Sequence, residues 1–374
     1  MMSSQPALKI FRRQEVLQFT SVRAGETKVG EVIRVLDGVE PSAFESNLEK
    51  AYENGARYAL VLIPEDIGPR ANLGRGGADR APSAFLNYFA NMQSNRFLDC
   101  SKVLALGRVD VADLMQESAS ADASVETLRL LCQQIDARVT PIIRAIVKAG
   151  LEPVVIGGGN NNSYPVIQGV CEALREKGPN DLGLAVVNCD PHADFRRMEG
   201  RHSGNPFTYA HARGYLRRYC VFGLHQPYNS EEMLARLEQA GFVYYCLDDF
   251  AIRRETDFES CLEAVRRYLR RGGCPIGCEL DLDSIRQMPA SAKTSFGICQ
   301  EEAARYIHVV ASSLDTRYLH LSEAAPGTLG DDAERECGKA MAWMVTTYLK
   351  AREEFHARQV ENVPAGRAQP RSGK

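Results

Sequence analysis

The chain has 374 residues, 44% hydrophobic and 25% charged, with 45 Lys and Arg against 48 Asp and Glu for a formal net charge of -3. That composition is globular, with length enough for a sizeable core, and a near-neutral balance without a basic block excludes nucleic acid or an anionic membrane as the main partner. The longest apolar runs, at 61–63 and 154–156, fall far short of the roughly 18 residues of a spanning helix, and no apolar leader follows Met1, so no membrane association and a soluble, cytoplasmic protein are expected. The 11 dispersed cysteines, without a CxxC pair, fit a reducing compartment better than a disulfide framework.

In chain order, residues 1–35 read as an N-terminal extension, 36–360 as one catalytic domain, and 361–374 as a polar, Pro- and Gly-rich disordered tail. Short β-branched runs predict buried parallel strands over 57–63, 102–106, 152–156, 182–188, 219–223, 242–247, 275–282 and 318–321. Between them, helical periodicity covers 125–149, 164–177, 231–240, 258–271, 301–314 and 334–356. Strict alternation of strand and helix implies βαβ units, hence an α/β fold in three αβα layers around a mostly parallel sheet of about eight strands.

Ligands in such a sheet bind beyond the carboxyl ends of the strands, so the residues there carry the functional reading. Four ends stand out: GGGNNNS at 157–163, DPHAD at 190–194, ELDLD at 279–283 and SEAAP at 322–326. Asp190, His192 and Asp194 leave one strand at alternating positions, and Asp281 and Asp283 leave another. Carboxylates packed there would repel one another unless divalent cations neutralise them, and two ions bridged by shared carboxylates are the natural number. Oxygen-rich ligation with one imidazole suits manganese better than structural zinc. A lone DxHxD motif is as readily a hydrogen-bonded cap on a strand; the second apolar strand ending in DxD and the third ending in an acid favour a metal site. The glycine run lacks both the GxGxxG spacing and a P-loop lysine, and reads as a turn that lets the backbone approach closely.

These motifs, with IPEDIGPRAN at 63–72 and GRGG at 74–77, resemble those of the arginase, agmatinase and formimidoylglutamase superfamily, the ureohydrolases, across most of the chain. The resemblance implies an arginase-like binuclear Mn2+ hydrolase that cleaves a C–N bond of a small amidine or guanidine and assembles as a homo-oligomer, a trimer or hexamer. It implies that Asp190, Asp194 and Asp281 bind the first metal and Asp190, His192, Asp281 and Asp283 the second, and that Glu323 receives the substrate's planar cation. Asn160 stands where the family places a histidine ligand of the first metal, and an amide oxygen is a weaker, uncharged ligand. After Ser203-Gly204-Asn205 the chain has Pro206-Phe207, as in the formimidoylglutamase branch, instead of the arginase shuttle histidine; His202 is the candidate substitute. Ser203 and Asn205 are expected to touch substrate. Arg196, Arg197 and Arg201 beside the mouth suit a substrate carboxylate, favouring formiminoglutamate- or arginine-like compounds over agmatine. The alternative reading is a catalytically silent relative whose metal site Asn160 has altered.

Overall fold

The computed structural model describes residues 6–36, 43–120, 123–328 and 330–361. Nine strands form one sheet: β1 (Leu8–Ile10), β2 (Tyr58–Leu62), β3 (Val103–Val109), β4 (Glu152–Ile156), β5 (Leu184–Cys189), β6 (Leu216–Leu224), β7 (Val243–Cys246), β8 (Ile276–Asp281) and β9 (Thr316–Ser322). Their spatial order is β1-β3-β2-β4-β9-β8-β5-β6-β7. Every described pairing is parallel except β1 with β3, where Leu8 faces Val109 across an antiparallel edge.

The eight parallel strands correspond to the eight apolar runs of the sequence. Strands β2, β5 and β8 are buried along their whole length, as expected for strands with helices on both faces. Two apolar clusters occupy the two faces of the sheet, one gathering Leu60, Phe85, Ala185 and Met341 and the other Val61, Ile142, Val186 and Phe207. This is the three-layer αβα arrangement. The ninth strand comes from the N-terminal segment, whose Phe11, Val16, Val29 and Ile33 are buried in the first of these clusters. Residues 362–374, most of the expected tail, lie outside the described residues.

The order of the strands places the site. Between β4 and β5 the chain crosses to the far side of the sheet, and β8 and β9 later fill the gap between them. The four strands that end in the singled-out motifs are therefore consecutive neighbours, β4-β9-β8-β5, with their carboxyl ends together at a topological switch point. Helix Ser163–Arg175 starts directly after the Asn160 turn, and helix Val125–Lys148 packs against it. No helix among the described residues is long and apolar enough to cross a membrane. All 11 cysteines are free thiols, and only Cys274 and Cys299 are more than slightly exposed.

Candidate metal centre

The two acidic motifs make the same local turn. Asp190 Oδ1 accepts the backbone N–H of His192 at 2.7 Å, and Asp281 Oδ1 accepts that of Asp283 at 2.7 Å. Each leading aspartate thus caps its own strand end through an Asx-type turn, leaving its second oxygen for the interior. Asn188 fixes that second oxygen of Asp190 with a bond of 2.8 Å. Asp194 and Glu323 both hold left-handed backbone, with φ of 44° and 62°. Non-glycine residues rarely adopt that conformation, and where they do the strain commonly marks a functional site. Here it turns both side chains into one small cavity of about 130 Å³, which His192, Asp281 and Asp283 also line.

Carboxylate oxygens of Asp190, Asp194 and Asp281 lie within 4.8 Å of one another. His192 Nδ1 stands 3.3 Å from Asp190 and 4.0 Å from Asp283. Asp190, Asp194, Asp281, Asp283 and Glu323 are all buried, with at most 8% exposure. Among the described residues no lysine or arginine pairs with any of them. The consequences appear in their protonation. Burial, and then the charge of Asp190, pushes Asp194 and Asp281 well above the usual carboxylate range. Burial raises Glu323 as well, with Asp283 adding to it, and holds Asp283 at about 6. His192 is pushed up to about 10: burial alone would lower it, but the carboxylates of Asp190, Asp283 and Asp194 outweigh that. So many buried acids with one imidazole as counter-charge form a donor set that fits divalent cations, and all-oxygen ligation with a single nitrogen matches manganese.

Asn160 sits inside this cluster, and its amide is turned as a donor. Nδ2 bonds Asp194 Oδ2 at 2.5 Å and Asp190 Oδ2 at 3.2 Å, while Oδ1 accepts from Ser163 Oγ at 2.7 Å. Its backbone N–H donates to Glu323 Oε1 at 2.6 Å; Glu323 Oε2 is buried without a hydrogen bond among the described residues. The glycine turn permits this closeness: Gly158 has φ 68°, and a Cβ there would lie 2.5 Å from Glu65 Oε1. Glu65, which sequence reasoning passed over, is fully buried and accepts Gly159 N at 2.8 Å, Asn162 Nδ2 at 2.6 Å and Gly68 N at 3.1 Å. It ties the 63–72 stretch to the turn, and its one sequence signal is an acid just past the end of β2.

The remaining expected site residues divide. Ser203 and Arg196 line the cavity, and Arg196 also lines an adjoining cleft of about 430 Å³. Arg197 lies at the rim of that cleft, paired with Glu232. Arg201 does not face the cavity. It is buried, bonded to Asp136 at 2.8 Å and to the backbone carbonyl of Asn161 at 2.7 Å, with its guanidinium 4.8 Å and 5.0 Å from the ring centres of Tyr164 and Tyr209. Asn205 is buried too, its amide spent on Gly200 O at 2.7 Å and on Arg201 at 2.9 Å. His202 is fully buried, with Nε2 2.8 Å from Asn205 Nδ2 and Nδ1 accepting Gly204 N at 3.1 Å. Burial, reinforced by Arg129, Arg196 and Arg201, lowers its pKa to about 3. Its Nε2 also lies 3.2 Å from Glu199 Oε1, and the ring is not among the residues that line the cavity.

A three-layer αβα fold with clustered carboxylates at the ends of its central strands is that of the ureohydrolase class. The arginase family profile matches residues 56–348, and the chain belongs to that family. Among curated proteins it is similar to the formimidoylglutamase of Aromatoleum aromaticum, with 26% identity over 315 residues, 82% of this chain and 87% of that one. Among solved structures it is similar to a Trypanosoma cruzi formiminoglutamase with Mn2+, at TM-score 0.65 and 19% identity, covering 87% of this chain and 98% of that one. The Bacillus subtilis formimidoylglutamase aligns at TM-score 0.69 and 17% identity, over 89% and 94% of the two chains. At those identities the structural matches speak to fold.

Proposed function

We propose that this chain is a ureohydrolase-fold protein with an altered metal site: it binds manganese at its strand-end acids but holds the first position weakly, and is catalytically silent until that position fills. The observation that carries this reading is the Asn160 amide, whose Nδ2 donates to both Asp190 and Asp194 at the place where the family puts a ligand. Such bonds partly satisfy carboxylates that a cation would otherwise neutralise, so the cation must displace them in order to bind. Asp190, Asp194 and Asp281, with Asn160, would hold the first ion; Asp190, His192, Asp281 and Asp283 would hold the second. The Mn2+ recorded with the T. cruzi relative supports the choice of metal. When bound, the pair of cations supplies the charge that lowers the pKa of a water and polarises an amidine or guanidine carbon.

Glu323 and Arg196 favour a second reading, in which the filled site hydrolyses the C–N bond of a linear amidine or guanidine such as formiminoglutamate or an arginine-like acid. Glu323 presents an unpartnered oxygen at the cavity, suited to the N–H groups of a planar cation. Arg196 is the arginine that lines the cavity itself, where it would receive a substrate carboxylate, and Ser203 lines the same cavity. Metal analysis of protein purified without chelator, paired with release of formamide from amidines and of urea from guanidines, each with its free amine, over a substrate panel at rising Mn2+, separates the two readings. The altered-site reading expects substoichiometric metal and turnover only at high Mn2+. Full occupancy with turnover at trace Mn2+ would replace it with the second.

A further inference from the structure

Behind Asn160, away from the cavity, lies a buried polar cluster that the acidic site does not use. Glu279, on β8, accepts the Tyr318 hydroxyl at 2.6 Å through Oε1. Its Oε2 lies 2.7 Å from His320 Nδ1 and 3.0 Å from Ser163 Oγ. Ser163, the first residue of helix Ser163–Arg175, is also 2.7 Å from Asn160 Oδ1. All four side chains are completely buried.

A serine hydroxyl has one proton to give and lone pairs to accept. With the amide as placed, Asn160 Oδ1 and the Glu279 carboxylate compete for the single proton of Ser163, and the other hydroxyl that reaches Asn160 Oδ1, that of Ser322, does so only at 3.4 Å. A buried acceptor left short of its donor is costly. Rotating the amide by a half turn exchanges two groups of nearly the same size and removes the conflict: Nδ2 donates to Ser163 Oγ, and Ser163 donates to Glu279. The same rotation turns Oδ1 toward Asp190 and Asp194. Bare carboxylates repel an oxygen in that position, whereas a divalent cation held between them attracts it. The amide therefore has two orientations of opposite polarity, and the Ser163 proton favours the one suited to a cation.

We propose that Ser163 and Glu279 are positioning residues that turn Asn160 from a donor to the aspartates into an oxygen ligand of the first metal position. The inference rests on the reading that Asp190, Asp194 and Asp281 hold a divalent cation. Replacing Glu279 by Gln gives Ser163 a donor neighbour, sends its proton to Asn160 Oδ1 and locks the amide in its donor orientation. Replacing Asn160 by Asp puts the same oxygen on both sides, so that no turn remains to be set.

The test is Mn2+ binding to chelator-stripped full-length protein, followed by calorimetry and by the electron paramagnetic resonance signature of a coupled manganese pair. Glu279→Gln and Ser163→Ala should each weaken the first position by about tenfold or more and lose the coupled signal, while Ser163→Thr, which keeps the hydroxyl, should retain it. In an Asn160→Asp background, Glu279→Gln should leave the affinity unchanged or tighter. Equal losses in the Asn160 and Asp backgrounds, or undiminished affinity in Ser163→Ala, would overturn the proposal. If Glu279→Gln does not fold, Ser163→Ala measured in both backgrounds decides by the same comparison. A native chain that binds no Mn2+ would instead overturn the metal reading beneath it.

Discussion

The side-chain amide of Asn160 donates to Asp194 at 2.5 Å, joining the turn after β4 to the loop after β5. An imidazole ligand at this position would not make such a bond to the carboxylate in the presence of a cation. It partly satisfies two of the crowded carboxylates in the absence of a cation, and it defines what manganese has to displace.

Acidity and metal should be coupled in a definite direction. Asp283 is raised from 3.8 to about 6 by burial, and burial likewise raises Asp194, Asp281 and Glu323 well above the usual carboxylate range. A carboxyl group whose folded pKa exceeds its unfolded value holds protons that the unfolded chain releases, so the chelated protein loses stability as pH rises from the unfolded value through the folded one. Cation binding cancels that loss and itself releases protons. Thermal melts should therefore show a larger Mn2+-induced rise at about pH 8 than at about pH 5.5. A rise independent of pH would count against the protonated, self-repelling cluster.

Asp281→Asn keeps the oxygen that accepts Asp283 N–H and removes a buried acid that resists ionising. In chelator at about pH 8 the variant should melt above the native protein, because the unfolded chain no longer gains by ionising that acid. It should also lose the response to Mn2+, having lost the shared ligand. A variant that melts lower in chelator yet still responds to Mn2+ would mean that Asp281 is structural.

The three arginines should behave differently from one another. Arg201→Met strands Asp136 in the interior and should cost about 3–5 kcal/mol in urea unfolding, with or without Mn2+. Arg196→Met, at the cavity, should leave stability within about 0.5 kcal/mol of native. If the filled site turns over substrate, Arg196→Met should raise KM for carboxylate-bearing amidines and leave agmatine unaffected, and added salt should shrink that preference. Unchanged KM for all of them would remove Arg196 from recognition.

His202, neutral down to about pH 3, should place no inflection in a pH–rate profile between about 6 and 9. His202→Asn should lower thermal stability and leave the shape of any such profile intact. A lost basic or acidic limb in the variant would restore it as a proton carrier.

The parallel strands and the acids at their ends were legible in the sequence because both are local signals: an apolar run of strand length, and polar residues at alternating positions directly after it. Strand β1 was not, since Leu8–Ile10 is too short to show a period. Helix Ala81–Phe89 was passed over because it follows a glycine-rich stretch and carries Pro82, which sits harmlessly in its first turn. Around the site, what escaped was pairing over long separations. Arg201 looked like a mouth residue until the fold brought Asp136, 65 positions away, against it. Glu65 and Glu279 gave no motif of their own, and their roles follow from which turn and which hydroxyl the sheet places beside them.

The most direct measurement is manganese stoichiometry and affinity, by calorimetry in one buffer, for the native protein and for Asn160→His. The account predicts that the native chain holds nearer one ion than two and that the second ion binds weakly. Imidazole at this position should tighten the weaker site by at least about tenfold, taking a supporting-residue effect as the lower bound for a ligand. A native chain that binds two ions with equal affinity, or an Asn160→His protein whose occupancy is unchanged, would contradict it.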